Sequence, residues 1–357
     1  MATRRRVLAA PDKFRGTATA AEVAAAVQQA AGAAGWTCDP APVADGGEGT
    51  LEALLPAHGA ARALFPAQGA TRALAGTVHR RTVRGPLGDP VTAQWRMQGD
   101  VAVVEMAQAS GLGLVGGARG NDPLRASTAG TGELIAAAID AGACQVIVGA
   151  GGSASTDGGL AALTALNPGR RLRGVDLIVA CDVTTTFVDA ADVFAAQKGA
   201  SPAQVALLRR RLERLAQVYV RDYGVDVRHI PGSGAAGGLA GGLAAAGATL
   251  VPGFDVVADA VGLADRAPAA DLVVTGEGVL DAESFAGKAV GGVVALAVAA
   301  GVPVLVVAGE VYAEELQDAG PTVEIVSLTE RFGPERARTD VLECVRQVVG
   351  RRLEDVL

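Results

Sequence analysis

Gly149-Ala-Gly-Gly-Ser153-Ala-Ser155-Thr156-Asp157-Gly-Gly159 follows the apolar run Cys144-Gln-Val-Ile-Val148 and precedes Leu160-Ala-Ala-Leu-Thr-Ala-Leu166. The first flank reads as a buried strand and the second as a helix. A strand that ends in glycines and hydroxyls before a helix lets backbone N–H groups approach an anion closely. The hydroxyls of Ser153, Ser155 and Thr156 add side-chain donors, and Asp157 adds a carboxylate that can face a cation. The plainer reading is that the glycines shape a tight turn and Asp157 caps the helix. Taken as a whole, the stretch favours a phosphate or carboxylate site.

The same design recurs along the chain. Val7-Leu-Ala-Ala10 ends in Pro11-Asp12-Lys13, and Leu177-Ile-Val-Ala180 ends in Cys181-Asp182. Leu272-Val-Val274 ends in Thr275-Gly-Glu277-Gly278, and Val304-Leu-Val-Val307 ends in Ala308-Gly-Glu310. These runs are uniformly apolar, as expected of parallel strands covered on both faces. Each delivers polar groups at its carboxyl end, where open α/β sheets place ligands. The fold class is therefore α/β. Residues 78–106 break the rhythm with Val78–Val83, a turn at Gly85-Pro-Leu-Gly88, Val91–Met97 and Val101–Met106. That spacing predicts an antiparallel patch and a second domain beginning near residue 78.

Helices are expected over 17–34, capped by Thr17 or Thr19, and from Ser201-Pro202 to about Tyr219, with an arginine-rich solvated face. The uncharged stretch Val290–Gly309 is broken by Gly301-Val-Pro303 and reads as a helix then a buried strand, with no membrane span. Residues 56–64 are nearly repeated at 66–74, a small duplication that makes His58 a poor catalytic candidate.

A chain of 357 residues suggests two domains, and 50% hydrophobic residues allow a large core. With 3% aromatics and a net charge of −7, neither stacking on bases nor neutralising a phosphate backbone is favoured, so no nucleic-acid partner is expected. Arg4-Arg-Arg6 precedes an apolar run too short for a signal peptide. Cysteines at 38, 144, 181 and 344 lack metal spacing and read as buried thiols in a reducing cytoplasm.

Of 31 basic residues only Lys13, Lys198 and Lys288 are lysine. Lysine is a mobile point charge where arginine is a rigid fork, so its retention at these loop positions invites a functional reading. Gly287-Lys288 suits phosphate contact, although Ala282 stands where a Walker motif needs glycine. Histidine occurs only at 58, 79 and 229, none beside a glycine-rich stretch. Acid–base work then falls to carboxylates. Asp45 and Glu48, in Val43-Ala-Asp45-Gly-Gly-Glu48-Gly-Thr50, can hold a metal, accept a substrate proton, or merely cap the next helix. Thr131 with Glu133 can cap a helix or face the glycine stretch. Glycines, lysines and carboxylates without histidine fit phosphoryl transfer from a nucleotide with Mg²⁺. A rival reading comes from Gly232-Ser-Gly234-Ala-Ala-Gly237 with Asp255 beyond it, the pattern of a dinucleotide site in a nicotinamide-dependent oxidoreductase. The preceding Asp226–Pro231 makes a poor buried strand for it.

These motifs together resemble the bacterial glycerate kinase family over almost the whole chain. The matching stretches are Ala10–Gly16, Val43–Thr50, Glu105-Met-Ala with Ala109–Leu112, Thr128–Glu133, Gly151–Gly159, Gln197–Ala200, Pro231–Leu239 and Thr275–Lys288. The resemblance implies ATP-dependent phosphorylation of D-glycerate, commonly at its 2-hydroxyl. It implies a Rossmann-like parallel-sheet domain formed by both chain ends, 1–77 and 290–357. An inserted α/β domain with a mixed sheet, 78–289, would complete the fold, with the active site in the interdomain cleft. Asp45 or Asp182 would be the base or orienter for the substrate hydroxyl, and Lys288 would stabilise the transferring phosphoryl group. Asp12, Lys13, Arg15, Gly151, Gly152, Ser153, Ser155, Thr156, Lys198 and Thr131 would bind substrate and phosphate. Asp157, Glu277 and Asp281 would lie near Mg²⁺. The expected ligands are ATP, Mg²⁺ and glycerate or a similar small hydroxy acid. The expected setting is cytoplasmic, without membrane, with a homodimer as the candidate assembly. The chain departs from the family where Thr184-Thr-Thr-Phe187 replaces an Asn-Pro-Leu turn, at Val279 where arginine is frequent, and at Glu283-Ser284 for Gln-Thr. These departures raise the alternative of a member retargeted to another hydroxy acid, or inactive.

Overall fold

A computed structural model describes residues 5–47, 49–54, 76–285, 288–312 and 321–355. Glu48, the duplicated 56–74 segment with His58, and Gly287 lie outside the described residues. Eleven strands are described: β1 (Arg6–Ala9), β2 (Thr37–Pro40), β3 (Thr77–Arg84), β4 (Pro90–Gln98), β5 (Val101–Glu105), β6 (Gln145–Gly149), β7 (Asp176–Ala180), β8 (Thr249–Val251), β9 (Leu272–Leu280), β10 (Val304–Val311) and β11 (Val323–Ser327). The chain forms two compact units, Met1–Asp45 with Val257–Leu357, and Gly46–Val256.

The first unit holds a parallel sheet in the order β11-β10-β9-β1-β2. Each of its core strands is an apolar run, and Val7, Leu272, Val274, Leu305 and Val307 are buried against the helices Ala20–Ala33 and Val341–Glu354. Thr19 accepts from Glu22 N while the Glu22 carboxylate accepts from Thr19 N, a capping box that starts the first of these helices. β9 lies between β1 and β10, with Val7 opposite Leu272 and Val304 opposite Val273. This pairing puts the return to the first unit near 257 where the sequence reading put it near 290. The departure likewise falls at 45/46 and not near 78.

The second unit holds a six-stranded sheet in the order β3-β4-β5-β6-β7-β8. β3, β4 and β5 are antiparallel, and β5 through β8 run parallel. The antiparallel patch expected over 78–106 is thus one edge of the sheet that carries the glycine stretch. Helix Pro202–Tyr223 starts at a Ser201–Gln204 capping box and ends at left-handed Gly224, one turn beyond its expected end.

Helix Ala235–Ala245 is wholly buried and begins through left-handed Ala236, Gly237 and Gly238. A Cβ on Gly237 would lie 2.1 Å from the Ser155 carbonyl oxygen, so close backbone packing explains the glycine there. A 3₁₀ turn, Val227–His229, precedes it where a dinucleotide fingerprint needs a strand. The oxidoreductase reading therefore fails. No helix among the described residues is long and apolar enough to cross a membrane, and Val290–Gly309 divides into helix Ala289–Ala299 and β10 as expected. The cysteines are free, but only Cys344 is buried and Cys144 is exposed. Cys144 sits just before β6, on the solvated strand end and not in the apolar run, which corrects the expectation of four buried thiols.

Candidate active site

In the first unit, the ends of β1, β2 and β9 bring carboxylates and lysines together. Asp12 N donates to the Gly276 carbonyl and Val43 N to the Pro11 carbonyl, so the chain beyond β1 stays clamped between its neighbours. Lys13 Nζ lies 3.4 Å from Asp45 Oδ1 and 3.5 Å from Asp12 Oδ1. Burial works against the Lys13 charge, but Asp12 and Asp45 outweigh it and hold the ammonium above its ordinary pKa. Burial raises Asp12 to about 6 against the pull of Lys13, with Asp45 pushing the same way as burial.

Glu277 lies on β9, opposite Ala308. Burial raises its pKa to about 7; Ser284 and Lys288 lower it and Asp12 and Asp281 raise it further. Glu277 Oε1 is buried without a hydrogen-bond partner. Such an oxygen costs stability unless a ligand or proton satisfies it. Ser284 N donates to Asp281 Oδ1 and Asp281 N donates to Ser284 Oγ, which fixes the turn after β9. Lys288 stands at the N-cap of helix Ala289–Ala299. A cation there opposes the helix dipole and suits an anion bound at the same end. Arg15 is exposed, within electrostatic reach of Lys13.

In the second unit, the stretch after β6 is braced from behind. Lys198 Nζ donates to Ser153 Oγ and to the Ser155 carbonyl, both at 2.7 Å. Asn121 Nδ2 donates to the carbonyls of Ala154 and Lys198. Gly151 and Gly152 are not buried, and a Cβ on Gly151 would lie 2.4 Å from Gly47 Cα. Ser155 Oγ and Thr156 Oγ1 are buried without partners. Burial lowers Lys198 to a pKa of about 7, with Asp157 opposing that shift.

Three residues singled out in the sequence are engaged inside this unit. Asp157 accepts from Thr128 N, Thr128 Oγ1 and Gly159 N, and burial raises its pKa. Thr131 is buried with its hydroxyl donating to Ser110 Oγ at 2.8 Å. Asp182 Oδ1 accepts from Gly253 N and Phe254 N at the start of helix Gly253–Val261. Of the three carboxylates expected near a metal, Glu277 and Asp281 share the first unit, while Asp157 belongs to the second. Among the described residues no group of three or more His, Cys, Asp or Glu is placed to hold a metal ion.

Glu105, Asn121 and Ser284 were not foreseen as site residues. Glu105 Oε1 accepts from Gly49 N and Leu51 N and so anchors the glycine-rich turn that follows Asp45. It ends the apolar run Val101–Val104, and the strand-end rule applied to the other runs would have singled it out. Asn121 and Ser284 act through loop packing, which leaves no periodic signal.

Residues 7–169 and 167–351 match the Glycerate kinase family. "Glycerate 2-kinase" of Escherichia coli K12 is 36% identical over 342 residues, covering 85% of each chain. "Glycerate kinase" of Bacillus subtilis 168 is 37% identical, covering 86% of this chain and 85% of that protein. The crystal structure of a "putative glycerate kinase 2" from Salmonella typhimurium LT2 superposes with a TM-score of 0.79 at 33% identity. It covers 99% of this chain and 98% of that one.

Proposed function

The chain belongs to the glycerate kinase family and is a kinase, and from that premise we propose that it phosphorylates the 2-hydroxyl of D-glycerate with ATP, giving 2-phosphoglycerate. The observation that carries the chemistry is the Asp12–Lys13–Asp45–Glu277 cluster. It combines Asp12 and Glu277, whose proton affinity burial raises towards neutrality, with the Lys13 ammonium that Asp12 and Asp45 keep protonated.

Transfer of a phosphoryl group to an alcohol needs positioning, charge neutralisation and a base for the hydroxyl proton. We assign the proton to Glu277 Oε1, whose lack of a partner and raised proton affinity support the role over Asp45, which is paired with Lys13. Asp45 then orients Lys13, and Asp182 keeps its cap at helix Gly253–Val261. Lys13 and Arg15 hold the substrate carboxylate. Lys288, at a helix amino end, balances charge on the transferring phosphoryl group. The amides of Gly151 and Gly152, with Ser153 and Thr156, hold the donor's phosphates, while Ser155 is fully buried and takes no part. Lys198 shapes that loop from behind, and Thr131 backs it through Ser110.

The carboxylates present suit Mg²⁺, a hard cation that keeps water and phosphate ligands and takes one or two protein oxygens. Asp281 would hold it through the oxygen that Ser284 leaves unbonded, and the ion would neutralise phosphate charge. Asp157 is spent on Thr128 and Gly159 and takes no part.

The test is ADP release with Mg-ATP and a panel of D-glycerate, L-glycerate, glycolate and D-lactate. D-Glycerate should lead by about tenfold or more in kcat/KM, because a site built to bind a polar substituent rejects analogues lacking it. A lead by glycolate or lactate would support a retargeted member, and ADP release with none of them would sink the kinase reading. Val279, exposed on β9 and uncharged, is the residue that motivates including these analogues.

A further inference from the structure

We infer that an apolar cavity of about 400 Å³ beside Thr156 receives the purine and ribose of the nucleotide donor. The inference rests on the kinase reading above and adds a place for the part of ATP that the loop amides cannot hold. The cavity lies wholly within the unit Gly46–Val256. Helix Pro202–Tyr223 supplies its floor from Leu208 and Leu212 and its wall from Leu215 and Val218. These positions are spaced by three and four, so they share one helix face. Pro123 and Leu124 form the opposite wall. Its volume lies within the range of about 300–1,000 Å³ typical of small-molecule sites.

Three observations point to a nucleoside. The cavity is continuous with the phosphate loop, because Thr156 and Asp157 line it and also end that loop. Thr156 is itself 2% exposed, and its Oγ1 has no partner. Leu160, the next lining residue along the chain, is 49% exposed at the start of helix Leu160–Leu166. A large apolar side chain standing in water beside an apolar floor gains from being covered, at roughly 25 cal/mol per Å² removed from water. A flat heteroaromatic ring does that while leaving its polar edge to solvent.

The walls are also held in place and charged to suit. Arg211 Nη1 donates to the Leu124 carbonyl at 3.0 Å, tying the 123–126 loop to the helix. Arg214 lines the same cavity and is exposed, which favours an anionic ligand. Few polar groups meet the base, so it is held by shape and desolvation more than by hydrogen bonds. ATP and GTP should accordingly bind within about tenfold of one another.

The test uses the full chain with Leu160→Trp and, separately, Val218→Trp, both at positions that are not fully buried. Each fills the cavity without touching Ser153 or the loop amides. Equilibrium titration compares Mg-ATP with inorganic tripolyphosphate, after thermal melting confirms the fold. Both variants should bind ATP at least about tenfold more weakly and tripolyphosphate within about twofold of the parent. ATP affinity unchanged in a folded variant would overturn the inference, as would equal loss of both ligands, which marks a disturbed loop. If the parent phosphorylates D-glycerate and the variants keep their ATP affinity, only this inference falls. If the parent binds no ATP, the kinase reading falls first.

Discussion

Lys198 Nζ sits 2.7 Å from Ser153 Oγ, and Lys198 is only 3% exposed. The lysine with the look of a phosphate ligand is a brace beneath the loop: its other donated bond goes to the Ser155 carbonyl. A buried ammonium is costly unless its protons are placed, so this bond pair fixes the loop and also makes it sensitive to protonation.

Lys198→Met should therefore raise KM for ATP by about tenfold while leaving helix content unchanged. The same variant carries a stability signature. Burial lowers the pKa from 10.5 to about 7, so the unfolded chain binds a proton that the folded chain has lost between those values. Stability from this group thus rises as pH climbs through about 7. Between pH 6.5 and 8.5 the parent's urea midpoint should gain on that of Lys198→Met. Parallel pH responses would remove the buried-lysine account.

Glu277→Gln tests the base and a trade of stability against activity. Burial raises Glu277 from 4.5 to about 7, so the folded state holds a proton that the unfolded state releases in that window. Its contribution is present below the unfolded value and is lost as pH rises through about 7. Glu277→Gln should be more heat-stable than the parent at pH 8, with the difference shrinking towards pH 5. Its kcat should fall about 10²–10³-fold, the scale of a lost general base. Retained turnover at pH 8 would move the proton to Asp12 or Asp45. In the parent, kcat/KM should climb through the range of about 6–7 set by the Asp12–Glu277 pair.

Gly237→Ala probes the packing behind the loop. The residue has φ +68° and its added Cβ would meet the Ser155 carbonyl oxygen at 2.1 Å. Left-handed backbone alone costs about 1–2 kcal/mol for alanine, and the clash adds to it. A fall in melting temperature together with weaker ATP binding is expected. A variant as stable as the parent would show that the 235–238 turn yields more easily than its contacts suggest.

The parallel strands were readable because a strand covered on both faces has no choice but to be apolar throughout, as Val7–Ala10, Val146–Val148 and Leu272–Val274 are. Capping boxes at Thr19–Glu22 and Ser201–Gln204 are local and were equally visible. What sequence order could not reveal was partnership. Thr275 Oγ1 reaches the Ala10 carbonyl across 265 positions, and that pairing moves the unit boundary from 290 to 257. The site divides in the same way. Glycine-rich strand ends announced Gly151–Thr156, whereas the burial of Lys198 and the capture of Asp157 by Thr128 depend on segments that pack from elsewhere. Glu105 stands at a strand end like the other polar groups, but the turn it anchors, 56 positions away, shows only in the fold.

The most direct test of the kinase account is phosphorus NMR of the product formed from D-glycerate and Mg-ATP. The account predicts a phosphate ester signal split by a single proton, the one on C2, appearing in step with ADP. A signal split by two protons, from a C3 ester, or no ester at all while ATP is present, would contradict it.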